Sequence, residues 1–160
     1  MMAVAGVRER AWQGRLDAES KHRYFGRLSD RYRRFHIGLI LAFGLTSAAT
    51  TVVAITISQP GVLIAVLSGL ATALAIVTIS LDLSGKAAMA ASASDYYARL
   101  STRWRNLWWH QHAAGVGEEI RDLEQQDTAG PYVPIGDDEK LLKECEQEVD
   151  KIILSEYSTA

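Results

Sequence analysis

The chain has 160 residues, a net charge of −2 and a mean hydropathy of −0.01, averages that conceal a strong segregation of charge and of apolar residues. Residues 1–117 hold 13 Lys and Arg against 6 Asp and Glu, whereas residues 118–160 hold 4 against 13, so a basic body precedes an acidic tail. Cys145 is the only cysteine, which excludes an intrachain disulfide and a cysteine-rich metal site, and the polar remainder is too short for a separate hydrolase or nucleotidyltransferase domain.

After a frayed start over residues 1–6, residues 7–35 are charged and free of proline, with Trp12, Leu16, Tyr24, Leu28 and Tyr32 along one helical stripe. A helix is predicted there, with Gly14 and Gly26 as its weak points. Lys21, Arg23, Arg27, Arg31, Arg33 and Arg34 crowd its second half, just ahead of an apolar run. Positive charge beside a membrane span marks the cytoplasmic side.

From Ile37 to Ile57 and again from Gly61 to Leu81 no residue is charged, and each run is about 21 residues long. A helix of that length measures ~30 Å, the thickness of a bilayer's hydrocarbon core. Transmembrane helices are predicted over residues 36–58 and 61–83. The competing reading, two buried helices of a soluble domain, is disfavoured because the runs are apolar on every face. The first run follows some 36 mostly polar residues with no small-residue cleavage site after it, so it reads as an anchor and not as a removable signal. Ser58-Gln59-Pro60-Gly61 breaks the helix, and so short a connection makes the spans antiparallel neighbours, with the uncharged turn on the outer side.

Each span has a small, hydroxyl-bearing face and a bulky one. In the first, Ser47, Thr50, Ala54 and Ser58 share a face flanked by Thr46 and Thr51, against Leu41, Leu45, Val52 and Ile55. In the second, Ala65, Ser68, Gly69, Thr72 and Ala75 oppose Leu63, Leu70, Leu74, Val77 and Leu81. Such stripes serve close helix packing. In an oligomer, Ser47, Thr50 and Thr51, or else Ser68 and Thr72, would line a water path, and the sequence leaves open which span does so. Asp82 follows the second run directly: one carboxylate per subunit would form a ring attracting cations, while the plainer role is an interfacial acid or an ion pair with Lys86.

A third helix is predicted over residues 86–113, continuing from the second span, with a seam of Ala90, Tyr97, Leu100, Trp104, Leu107 and Trp108. Arg99, Arg103 and Arg105 again place positive charge after a span, so both termini are expected in the cytoplasm. Gly115-Val116-Gly117 ends that helix; a short acidic helix follows over residues 118–126, opened by Glu118 and Glu119, and residues 127–136, with Pro131 and Pro134, form a linker. Residues 137–156 form a last helix with Leu141, Leu142, Cys145, Val149, Ile152 and Ile153 on its apolar face, which must cover the basic helices or a neighbouring subunit. The fold class expected is all-α.

No phosphate loop, nucleophile elbow or zinc-protease helix is present, so no enzyme is expected, nor any cofactor. His110 and His112 point to different sides of a helix and lack a second ligand pair, so no metal is expected. The run from Arg103 to His110 is more informative. Guanidinium groups pair with phosphates and indoles stack on bases, so Arg103, Trp104, Arg105, Trp108 and His110, with Arg33 and Arg34 as additions, are the candidate surface for an anionic ligand. Helix–helix packing and snorkelling at the membrane interface are the alternatives for the same residues.

The basic approach to the first span (Arg31-Tyr32-Arg33-Arg34-Phe35-His36), the small-residue hairpin, the alanine-rich exit (Lys86-Ala87-Ala88-Met89-Ala90-Ala91), the aromatic helix with Tyr96-Tyr97 and the acidic helix after it together resemble the SLATT domains, over residues 8–127. These are two-span membrane effectors associated with bacterial nucleotide-signalling and conflict systems. The resemblance implies a homo-oligomeric pore in the inner membrane, controlled by a nucleotide or oligonucleotide from a partner nucleotidyltransferase and acting against phage; a tetramer is the simplest symmetric assembly. The alternative is a two-span anchor that recruits a cytoplasmic partner enzyme.

Overall fold

A computed structural model describes residues 2–56, 61–110, 115–134 and 138–158. Among them there are five helices and no strand: α1 (Met2–Thr56), α2 (Gly61–Leu81), α3 (Leu83–Trp109), α4 (Val116–Thr128) and α5 (Glu139–Ser158). The all-α expectation therefore holds. Ser58 and the turn after it, His112, and the end of the predicted linker with Asp137 lie outside the described residues.

The helix predicted over 7–35 and the first span are one helix, α1. No proline or turn residue separates Phe35 from Ile37; the side chains change from charged to apolar while the backbone has no reason to stop. The second span, in contrast, does not run on into the aromatic helix. Asp82 stands between α2 and α3 with φ 40°, a left-handed conformation that short polar side chains tolerate better than most. Its Oδ1 accepts the Gly85 N–H at 3.2 Å, in the manner of an N-cap for α3. A Cβ at residue 85 would collide with that carboxylate, so glycine is what lets the cap close.

The chain divides into two compact units, Asp30–Ala87 on one side and Met1–Ser29 with Ala88–Ala160 on the other. The second of these is a bundle of the first part of α1 with α3, α4 and α5. On α3 the buried residues Ala90, Ala93, Tyr97, Leu100, Trp104 and Leu107 step alternately by three and four, the spacing of a helix that keeps one seam against its neighbours. Val116, Ile120 and Leu123 of α4 join the core, and α1 supplies the small residues Ala11 and Ala18. Helix α5 buries Cys145, Val149 and Ile153, three members of the predicted apolar face.

Opposite charges join these helices. Arg23 and Arg27 of α1 both reach Glu148 of α5, and Arg103 of α3 reaches Asp122 of α4 at 2.8 Å. The acidic tail covers the basic helices, one of the two partners its amphipathic pattern allowed. Lys21 bridges Asp17 at 2.6 Å and Asp127 at 3.1 Å. Burial alone would push the Lys21 ammonium down, but its hydrogen bonds and attraction to the two carboxylates hold it above its ordinary value. Asp127 is pushed up, by burial first and by the second carboxylate, Asp17, against the pull of Lys21.

The other unit holds the two apolar runs. Helices α1 and α2 are long and apolar enough to cross a membrane, and no residue in the most apolar window of either is buried. Large side chains such as Ile55, Val62 and Ile79 are about four-fifths exposed. The chain itself therefore does not bury these helices, whereas a core helix within this chain would be buried.

Candidate functional site

Within the unit of the two spans, α1 and α2 leave an open groove of about 630 Å³ between them. Its walls carry Ser47, Thr50 and Thr51 from α1 and Ser68 and Thr72 from α2, together with Phe43, Ala54, Ala71 and Ala75. All five hydroxyl residues offered as lining for a water path thus meet on one surface, contributed by both helices and not by one alone. The reason lies in residue size: two antiparallel helices approach through their small faces, and side chains as short as Ser, Thr and Ala leave space where Leu would fill it.

The threonine hydroxyl hydrogens of the groove are committed inside the helices. Thr50 Oγ1 donates to the Thr46 carbonyl at 2.8 Å, Thr51 to Ser47 at 3.1 Å and Thr72 to Ser68 at 2.8 Å. Each threonine oxygen keeps lone pairs that can accept from water or face a cation. Asp82 is not on this groove. Its carboxylate caps α3, and among the described residues it forms no ion pair with Lys86, whose backbone N–H instead donates to the Asp82 carbonyl at 3.0 Å.

The predicted anion surface is distributed over several faces of α3, since neighbouring helix positions point in different directions. Arg103 is half-buried and donates to Asp122 and to the Gln126 side-chain oxygen, each at 2.8 Å; the Arg103 hydrogen bond holds the Asp122 carboxyl below its ordinary value. Trp104 is 2% exposed and belongs to the core, so it offers no face for stacking. Trp108 is half-buried, lies 5.5 Å from the Trp12 ring and carries the Arg8 guanidinium 4.6 Å above it. His110 is exposed, and its Nδ1 is 2.8 Å from the Asn106 carbonyl, which can only accept, so that nitrogen carries the hydrogen. Arg33 and Arg34 are exposed on α1, in the unit of the two spans.

Arg105 has a different setting. It lines a cavity of about 250 Å³ with Arg15, Glu19, His22 and Arg23 of α1, Ser101 and Thr102 of α3 and an apolar wall from α5. Arg15, His22 and Arg23 were not among the residues expected from the sequence to bind an anion. The signal was present, because Arg15, Glu19 and Arg23 recur every four residues and so share one face of α1. No family model, no curated protein and no solved structure matches the chain.

Proposed function

We propose that the chain is an oligomeric two-span membrane protein whose assembled copies conduct ions, under the control of a nucleotide or oligonucleotide signal, as an effector that depolarises or arrests a phage-infected cell. The observation that carries this reading is the hydroxyl groove on spans whose apolar surface the chain leaves uncovered. Lipid covers the bulky faces. Two helices cannot enclose water, so several copies, four in the simplest symmetric arrangement, bring their grooves together. Nucleotide control rests on the resemblance to the SLATT domains and on the clustered guanidinium groups of Arg15, Arg23 and Arg105. By charge, both termini face the cytoplasm of the inner membrane.

A second reading, a two-span anchor that recruits a cytoplasmic partner enzyme, is favoured by the threonine hydrogen bonds of the groove, which satisfy three of its five hydroxyl donors without water. Ion flux separates the two. The purified full chain in potassium-loaded liposomes should release potassium, at a rate that changes on adding oligonucleotide; vesicles that stay tight under every such condition would overturn the channel and leave the anchor.

A further inference from the structure

We propose that the unit of the two spans binds one anionic phospholipid, its headgroup phosphate held by Arg33, Arg34 and Lys86 and an acyl chain lying in an apolar crevice between α1 and α2. The site rests on the membrane part of the reading above and is independent of ion conduction and of any nucleotide.

Unspent charge is the first reason. Arg33 and Arg34 are exposed and Lys86 is half-buried, and none of these three side chains has a hydrogen bond or ion pair among the described residues. Residues 30–36 and 82–87 together hold four Lys and Arg against two carboxylates, Asp30 and Asp82, and Asp82 is already engaged in capping α3. Guanidinium forks match phosphate oxygens and an ammonium adds a point charge. A zwitterionic headgroup carries its own cation, which this positive surface repels; an anionic headgroup does not.

Depth is the second reason. Arg33 and Arg34 precede Ile37, where the uncharged run begins, by three or four residues, or ~4–6 Å along the helix, which is headgroup level when that run fills the hydrocarbon core. Deeper in, Ile40 and Phe43 of α1 share a crevice of about 200 Å³ with Ala75, Thr78 and Ile79 of α2. Its one hydroxyl makes no demand on an occupant, because Thr78 donates to the Leu74 carbonyl at 2.8 Å. The crevice and the hydroxyl groove beyond it fix an antiparallel register, and two turns further along that register Lys86 is level with Arg33. All of these residues belong to the unit Asp30–Ala87.

Helical phase joins the charge to the crevice. Arg33, His36, Ile40 and Phe43 step by three, four and three, so they form one stripe of α1, with the guanidinium position ~10 Å above the crevice. A glycerol with its esters covers that interval. His36 lies within it, its Nδ1 buried and without a hydrogen-bond partner in the chain, so an unsatisfied nitrogen stands at the depth of the ester oxygens.

The test reconstitutes the full chain into phosphatidylcholine vesicles carrying a trace of spin-labelled phosphatidylglycerol or spin-labelled phosphatidylcholine, and reads the motionally restricted fraction of each label by electron paramagnetic resonance. Phosphatidylglycerol should associate at least about fivefold more strongly, the scale of one engaged cation. Replacing Arg33 and Arg34 together by Ala, at exposed positions without protein partners, should keep the melting temperature and bring the ratio near one, while replacing both by Lys should retain most of the preference. Thr78→Phe, which fills the crevice and leaves the cations, should lower the restricted phosphatidylglycerol fraction. Equal association of the two labels, or an unchanged ratio in the Ala pair, would overturn the site. An unchanged fraction in Thr78→Phe would overturn the crevice as the acyl site, and displacement of the label by soluble glycerol phosphate would make it a site for free phosphate and overturn the lipid. A chain that does not float with the vesicles removes the membrane reading and the site with it, whereas a chain that floats without a preference removes the site alone.

Discussion

The indole of Trp104 lies against the backbone of α1 at Gly14, in the space that a Cβ would occupy. A large aromatic in the seam of α3 requires a helix without a side chain opposite it, so the apparent weak point of α1 is what admits the indole. Gly14→Ala gains about 1 kcal/mol of helix propensity but forces the indole aside, an overpacking that costs about 1–3 kcal/mol. The expected net result is a lower melting temperature. At Gly26 the nearest atom to a new Cβ is Ser94 Oγ at 3.4 Å, an ordinary contact, so Gly26→Ala should be neutral or stabilising in the same melting experiment.

The bundle should lose stability in alkali. Burial pushes the Cys145 thiol and the Tyr97 phenol above their ordinary values, 9.0 and 10.0, and Lys21 is raised above 10.5 by its two carboxylates despite its burial. In all three the folded state holds its proton more tightly than the unfolded chain. Their stabilisation is complete below the unfolded values and declines as pH rises from there through the folded ones. Melting temperatures should fall from about pH 9 upward, and Cys145→Ala should remove the earliest part of the decline.

Helix α5 is held to α1 by Glu148, which accepts from both Arg23 and Arg27. These pairs are partly exposed, so each is worth only about 0.2–1 kcal/mol. Glu148→Gln should accordingly leave the global melting temperature within a few degrees while hydrogen exchange over Val149 and Ile153 accelerates. Unchanged exchange there would show that the apolar face alone fixes α5.

Asp82 joins two roles that substitution separates. Removing its side chain as Asp82→Ala loses the cap, about 0.5–2 kcal/mol, and leaves a methyl-bearing residue at φ 40°. Asp82→Gly loses the cap but relieves the backbone, so it should be less destabilised. Asp82→Asn keeps both features and removes only the charge. Its stability should match the parent, and a drop in cation preference in a liposome flux assay would assign Asp82 to an acidic ring; unchanged preference would leave it as a helix cap.

The two apolar helices were legible because long uncharged runs have few alternatives, and the α5 face because Cys145, Val149 and Ile153 recur every fourth residue. The break at Asp82 was not, since α1 runs through Gly14 and Gly26 unbroken, so a glycine at 85 marks no boundary by itself, and the cap depends on one carboxylate reaching one N–H. Ala11 and Ala18 escaped a stripe drawn through the larger Trp12, Leu16 and Tyr24 because their value lies in being small opposite aromatic residues of α3. For the same reason the cluster at Arg103, Trp104 and Arg105 looked like one surface. The sequence shows the three as neighbours, whereas the helix sends Arg103 to α4, Trp104 into the core and Arg105 to the cavity.

Exposure to water along the span groove is tested most directly by cysteine labelling. In a Cys145→Ser background, which leaves no other thiol, single cysteines at Thr50, Thr72, Ile55 and Ile79 would be treated in intact membranes with a membrane-impermeant, water-soluble thiol reagent. Thr50→Cys and Thr72→Cys should react, and Ile55→Cys and Ile79→Cys, on exposed apolar faces that lipid would cover, should not. Equal reaction at all four positions, or protection of both groove positions under every nucleotide condition, would contradict a water path between these helices.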